Sequence, residues 1–174
     1  MQDVLEKASR IRLVIFDVDG VLTDGNLYLG NNGEELKTFN IKDGLGIKLL
    51  MQSGVDVGVI TGRSSKLVAQ RMESLGVKHV YQGQHEKLPA YHDLLATLGL
   101  ESEQVAYVGD DLIDLPLMRR AGFAVAVQDA HSLVRQHAHW QTPSAGGRGA
   151  AREVCELLMK AQGTLDEAYR AYLE

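Results

Sequence analysis

The chain has 174 residues, 45% of them apolar and 24% charged, which is the balance of one globular domain spanning 1–174 around one core. A net charge of −5 excludes broad binding to nucleic acid or to an anionic membrane and leaves a small molecule as the expected partner. No apolar run approaches a membrane span, the N-terminus has no signal-peptide stretch, and the lone Cys155 can form no internal disulfide, so a cytoplasmic location is expected.

In chain order, short apolar runs predict strands at 12–17, 55–60, 78–81, 104–108 and 123–127. Between and after them, helical spacing predicts helices at 45–53, 64–75, 86–98, 112–121, about 150–162 and 165–173. Gly54, Gly76, Gly99 and Gly122 are placed as C-terminal caps, and Pro89 and Pro116 mark helix starts. This rhythm predicts an α/β fold, a doubly wound, mainly parallel Rossmann-like sheet. Two segments interrupt it. Residues 26–41 carry two apolar stretches around Asn32-Gly33, a tight-turn pair, and predict an inserted β-hairpin arm whose Leu27, Tyr28, Leu29, Phe39 and Ile41 must pack on something, economically a second subunit. The second is Gly146-Gly147-Arg148-Gly149, a flexible basic loop opening a C-terminal tail of about 146–174.

The chemistry-bearing residues stand at predicted strand ends, where open α/β sheets place their sites. Asp17 and Asp19, two apart on an extended backbone, point the same way roughly 6–7 Å apart along the chain. One could attack while the other carries protons. An EF-hand is excluded because its fifth, sixth and twelfth positions would be Val21, Leu22 and Tyr28; an ordinary acidic turn remains an alternative. After the second strand, Thr61-Gly62-Arg63-Ser64 offers a hydroxyl, a glycine and a helix start able to bind phosphate, or a plain N-cap by Thr61 or Ser64. Lys87 opens a later helix, where a cation opposes the helix dipole; the plain alternative is a surface lysine. After the fourth strand, Gly109-Asp110-Asp111-Leu112-Ile113-Asp114 crowds three carboxylates that a hard divalent cation, Mg²⁺ first, would relieve, although helix capping accounts for two of the three. His137 and His139 have no carboxylate partner evident nearby and, with His79, His85, His92 and His131, read as ordinary surface or core residues.

The order and strand-end context of the Asp17/Asp19 pair, Thr61, Lys87 and the acidic cluster resemble the haloacid dehalogenase superfamily. The resemblance implies that Asp17 attacks phosphorus, that Asp19 protonates the leaving oxygen and then activates water, and that Thr61 and Lys87 hold phosphoryl oxygens. It further implies Mg²⁺ held by Asp17, the Asp19 carbonyl and Asp110, with Asp111 and Asp114 orienting or completing the set. Asp19 marks phosphate chemistry rather than dehalogenation. Other carboxylates are expected to surround it and keep it protonated.

Across nearly the whole chain, Phe16-Asp17-Val18-Asp19-Gly20-Val21-Leu22-Thr23-Asp24-Gly25, Asp43-Gly44-Leu45-Gly46, Tyr81-Gln82-Gly83 and Gly146-Gly147-Arg148-Gly149-Ala150-Ala151-Arg152-Glu153 are similar to the family of 3-deoxy-D-manno-octulosonate 8-phosphate phosphatases. That likeness implies no separate cap domain, a homotetramer with neighbour-covered active sites, and a sugar-acid phosphate substrate of lipopolysaccharide synthesis. Substrate contacts would fall on Asn26, Gly62, Arg63, Arg71 and Arg148. On the residues alone Arg71 also fits an arginine bordering the core, and Arg148 a solvated loop residue. The alternatives are a phosphatase of a nine-carbon sialic-type 2-keto acid and a non-catalytic assembly subunit on the same fold.

Overall fold

The computed structural model describes residues 1–174. In chain order the elements are α1 (Gln2–Ser9), β1 (Leu13–Phe16), β2 (Tyr28–Leu29), β3 (Glu35–Leu36), α2 (Ile41–Gln52), β4 (Asp56–Ile60), α3 (Lys66–Leu75), β5 (His79–Tyr81), α4 (Leu88–Leu98), β6 (Val105–Gly109), α5 (Leu115–Met118), β7 (Phe123–Ala126), α6 (Ser132–Gln136), β8 (Trp140–Gln141), α7 (Ala150–Ala161) and α8 (Leu165–Arg170). Six strands form one parallel sheet in the order β5-β4-β1-β6-β7-β8. The doubly wound architecture read from the sequence is therefore present, with α1, α6 and β8 added. β1, β6 and β7 are buried along their whole length, as strands covered by helices on both faces must be.

The chain leaves β1 toward β4 and leaves β6 toward β7, so their C-terminal ends flank the crevice where the winding reverses. The first residues beyond these two ends are Asp17 and Asp110.

Several local expectations are corrected. The arm's strands are two residues each, and Asn32-Gly33 lies within a five-residue loop closed by the Gly30 N–H donating to the Glu34 carbonyl at 2.8 Å. The arm also ends earlier: Asn40 accepts from the N–H groups of Lys42 and Asp43, capping α2, so Ile41 is helical. This polar cap overrides the strand-like Phe39-Asn40-Ile41 pattern. Neither Thr61 nor Ser64 caps α3; Ser65 does. Gly76 and Gly99 are left-handed helix ends as expected, but Gly122 is not, and its lack of a side chain instead allows close approach, since a Cβ there would stand 2.4 Å from the Glu103 carbonyl oxygen. The helix expected at 112–121 divides into a 3-10 turn, Leu112–Asp114, and one α turn with Pro116 in its first turn.

The helix expected at about 150–162 in the C-terminal segment is present as α7. Ala150, Ala151, Val154, Cys155, Leu158 and Met159 form a buried face of α7 packed on α2 and α1. Gly46 makes the α2–α7 contact possible, because a Cβ there would meet the Arg152 Cα at 3.1 Å. Cys155 is plain core, its thiol pushed up by burial.

Candidate active site

Asp17 continues the β1 ladder, its N–H donating to the Val108 carbonyl at 3.1 Å, and its carboxylate is buried. Beyond it the chain folds back sharply: the Val18 carbonyl accepts from the N–H groups of Val21, Leu22 and Thr23. The Thr23 hydroxyl accepts from Gly20 and Gly25, tying the loop to itself. Gly20, at φ +91°, is required twice over, since its backbone is left-handed and a Cβ would stand 1.9 Å from Asp110 Oδ2. The glycine after the two aspartates thus admits Asp110 to the loop.

On β6's side, Gly109 performs the same service for Asp114, whose side chain would lie 2.6 Å from a Cβ at that position. Asp114 Oδ2 accepts from the N–H groups of Asp110 and Asp111 at 2.9 and 3.2 Å, and its Oδ1 accepts from the Tyr107 hydroxyl at 2.6 Å and from Lys87 at 2.7 Å. Asp111 caps the 3-10 turn through the Leu112 N–H and is exposed.

Lys87, far from being a surface lysine, has a side chain 1% exposed, with its ammonium 3.0 Å from Asp17 Oδ1 and donating to Tyr107 at 3.2 Å. Burial opposes its charge, but Asp114 and Asp17 outweigh that and push its pKa up. Burial and the nearby Asp114 push Asp17 up to about 7 despite Lys87. The same two causes, with Asp17 and Asp111 adding, push Asp110 up to about 8.

Carboxylate oxygens of Asp17, Asp110 and Asp114 lie within 4.8 Å of one another, and Asp110 Oδ1 is buried with no hydrogen-bond partner. An acceptor left orphaned inside a raised-pKa acidic group fits a hard divalent cation. Asp114 already accepts four bonds and is the member least free to ligate. Both contacts to Asp17, from the Val18 N–H and from Lys87, fall on Oδ1, leaving Oδ2 for chemistry.

A cleft of about 240 Å³ opens over these groups, lined by Asp17, Asp19, Thr61, Gly62, Arg63 and Asp110, with Gly25, Asp111 and Ile113 at its sides. Asn26, next to Gly25, is exposed, and Arg148 is exposed near enough to help hold the Asp24 carboxyl below its usual range, after the Tyr28 and Asn26 hydrogen bonds. Arg71 stands elsewhere: its guanidinium lies 6.0 Å from the Phe39 ring centre in a small recess with Leu22, Asp43 and Gly44. The structure therefore brings together every expected catalytic and metal residue and leaves Arg71 outside the cleft. The histidines also do ordinary work, His131 capping α6 and His139 accepting from the Ala124 N–H.

Three participants escaped the sequence reading. Lys37, on the arm, pairs with Asp19 at 2.5 Å, so Asp19 faces an ammonium rather than the expected ring of carboxylates. Tyr107 was hidden in an apolar strand; a buried phenol needs a partner, and that was its only signal. Asp43 caps α7 across 109 residues by accepting from the Arg152 N–H at 2.9 Å, while Gly146 and Gly147 seat the preceding loop on residues 20–24.

A family model for haloacid dehalogenase-like hydrolases matches residues 78–154. The 3-deoxy-D-manno-octulosonate 8-phosphate phosphatase of Yersinia pestis is 57% identical over 166 residues, covering 95% of this chain and 89% of the relative. That of Escherichia coli (strain K12) is 58% identical over 166 residues, covering 95% and 88%. Among solved structures, the Moraxella catarrhalis 3-deoxy-D-manno-octulosonate 8-phosphate phosphatase, in complex with magnesium ion, phosphate ion and a KDO molecule, superposes with a TM-score of 0.96 at 44% identity over 100% of this chain and 99% of that one. The cobalt-bound Haemophilus influenzae phosphatase gives 0.91 at 41% identity over 97% and 99%. With this identity along almost its full length, the chain belongs to the 3-deoxy-D-manno-octulosonate 8-phosphate phosphatase family of haloacid dehalogenase-like hydrolases.

Proposed function

We infer that this protein is a Mg²⁺-dependent phosphoric monoester hydrolase that cleaves 3-deoxy-D-manno-octulosonate 8-phosphate to the free sugar acid and phosphate, a step of lipopolysaccharide biosynthesis. The observation that carries the reading is the convergence of Asp17, Asp110 and Asp114 around buried Lys87 at the sheet's switch point, in a chain 57–58% identical to phosphatases of that name.

Asp17 and Asp110, with the Asp19 carbonyl, would hold the ion. When bound it neutralises charge on the phosphoryl group and on the attacking carboxylate. Asp17 Oδ2 attacks phosphorus and the bond to the sugar oxygen breaks, that oxygen taking its proton from the Asp19 carboxyl, which must be protonated for this step against the pull of the Lys37 ammonium. Asp19 then takes a proton from water as the water attacks the aspartyl phosphate, returning Asp17 and releasing phosphate. Dividing the reaction suits a substrate class whose unaided hydrolysis requires accelerations of up to about 10²¹. Thr61 and Gly62 line the cleft, where the threonine hydroxyl and the glycine N–H would serve the phosphoryl oxygens. Lys87 offsets the charge beside Asp17, while Asp114 fixes Lys87 and the loop carrying Asp110. Arg63, which lines the cleft, and the exposed Asn26 and Arg148 are the contacts read for the sugar acid.

The protein works in the cytoplasm as a homotetramer in this reading. No helix is long and apolar enough to cross a membrane, and Leu27, Leu29 and Leu36 on the arm are exposed together. Phosphate release from a panel of sugar phosphates, with and without Mg²⁺, tests the function. Selective Mg²⁺-dependent hydrolysis of the eight-carbon acid supports it; preference for the nine-carbon acid replaces the substrate, and no hydrolysis of any member overturns it.

A further inference from the structure

A chain of ion pairs links Asp19 to Arg63, two residues that line the cleft. Lys37, on the hairpin arm, places its ammonium 2.5 Å from Asp19 Oδ1 and 3.5 Å from Glu35 Oε1. Glu35 presents its other oxygen to Arg63 at 3.0 Å, on the loop that also carries Thr61 and Gly62. Three segments, the loop after β1, the arm that follows it and the loop after β4, are thereby joined through charged groups.

The burial of Lys37 separates this arrangement from an ordinary surface pair. Its side chain is 4% exposed although it sits on a two-stranded arm whose apolar residues are largely exposed. Lysine gives up strong hydration when buried, so a lysine folded inward from such an arm requires a compensating partner, and here the partners are two carboxylates. Glu35 and Lys37, two apart, present the same face of the arm. The consequence for the site is geometric. Asp17 and Asp110 contribute oxygens to the acidic cluster, whereas the Asp19 carboxylate is drawn toward the arm and is not part of that cluster.

We propose that Lys37 is a positioning residue for Asp19, holding its carboxylate out of the Asp17/Asp110/Asp114 cluster and directed at the leaving oxygen, with Glu35 and Arg63 fixing Lys37 in turn. The proposal rests on the phosphatase reading above. An aspartate rotates about two side-chain bonds, and displacing a proton-transfer group by about 1 Å costs on the order of a hundredfold in rate. A group that aims Asp19 therefore acts on kcat, whereas one that only binds substrate acts on KM.

Steady-state hydrolysis of 3-deoxy-D-manno-octulosonate 8-phosphate by wild type, Lys37→Met and Lys37→Arg, with Tm measured for each, tests the assignment. Expected for Lys37→Met is a kcat lowered about ten- to a hundredfold with KM within about threefold of wild type; Lys37→Arg, which keeps the charge and reach, recovers most of the loss. Should Lys37→Met lose its cooperative melting transition, Lys37→Gln replaces it in the same comparison. An unchanged kcat, a change confined to KM, or an arginine variant no better than the uncharged one overturns the proposal. Inactive wild type overturns the phosphatase reading instead, so the two failures are distinct.

Discussion

Lys87 and Asp114 lie 27 residues apart in sequence, one immediately before α4 and the other closing the 3-10 turn after β6, and their charged atoms meet at 2.7 Å with both side chains buried. Removing one member of a buried pair strands the other, at a cost of about 3–5 kcal/mol. Lys87→Met will therefore lower Tm markedly and abolish turnover. Lys87→Met/Asp114→Asn, which also removes a stranded charge, will melt above the single variant; thermal melts of the three proteins read this directly.

Asp17 at about 7 and Asp110 at about 8 both lie above the ordinary carboxylate value of 3.8. Between about pH 4 and 8 the folded, metal-free protein thus holds protons that the unfolded chain has released, and its stability falls as pH rises through that window. Tm of the metal-free protein will decline from pH 5 to 8. Mg²⁺ competes with those protons, so its stabilising shift will be larger at pH 8 than at pH 6. A shift independent of pH would place the ion elsewhere.

Gly146 rests on the catalytic loop so closely that a Cβ would stand 1.7 Å from the Gly20 carbonyl oxygen, and the Gly147 N–H donates to the Val21 carbonyl at 2.9 Å. Gly146→Ala must displace one loop from the other. Overpacking of this kind costs about 1–3 kcal/mol, and the shift reaches the segment between Asp17 and Asp19. Expected are a lower Tm and a kcat reduced at least about tenfold; kinetics and melting of the purified variant check both.

Much of this was legible because chain order and strand ends locate an α/β site before any contact is known. Asp17, Thr61, Lys87 and Asp110 each follow an apolar run or open a helix, and the structure gathers them in one cleft or directly beneath it. What stayed hidden was set by contacts between distant segments. The inward turn of Lys37 depends on the arm lying beside Asp19, and the work of Asp43 depends on the start of α7, which packs back onto α2. Gly20, Gly109 and Gly146 stand in the sequence within an acidic turn, an acidic cluster and a flexible loop, and each serves close approach to a side chain or backbone brought there by the tertiary fold. Arg71 lies beside the Phe39 ring and outside the lining of the cleft.

Asp17→Asn keeps the volume of the side chain while removing the nucleophile and one burial-disfavoured charge. It will show no turnover, and its metal-free form at pH 8 will melt no lower than wild type. Retained turnover would assign the attack to another group.

The most direct measurement is rapid acid quench of wild-type protein turning over radiolabelled 3-deoxy-D-manno-octulosonate 8-phosphate with Mg²⁺, followed by peptide mapping. Label recovered on the peptide containing Asp17, and none in Asp17→Asn, is the predicted result. Label on another residue, or phosphate released by wild type with no labelled protein at any quench time, would contradict the account.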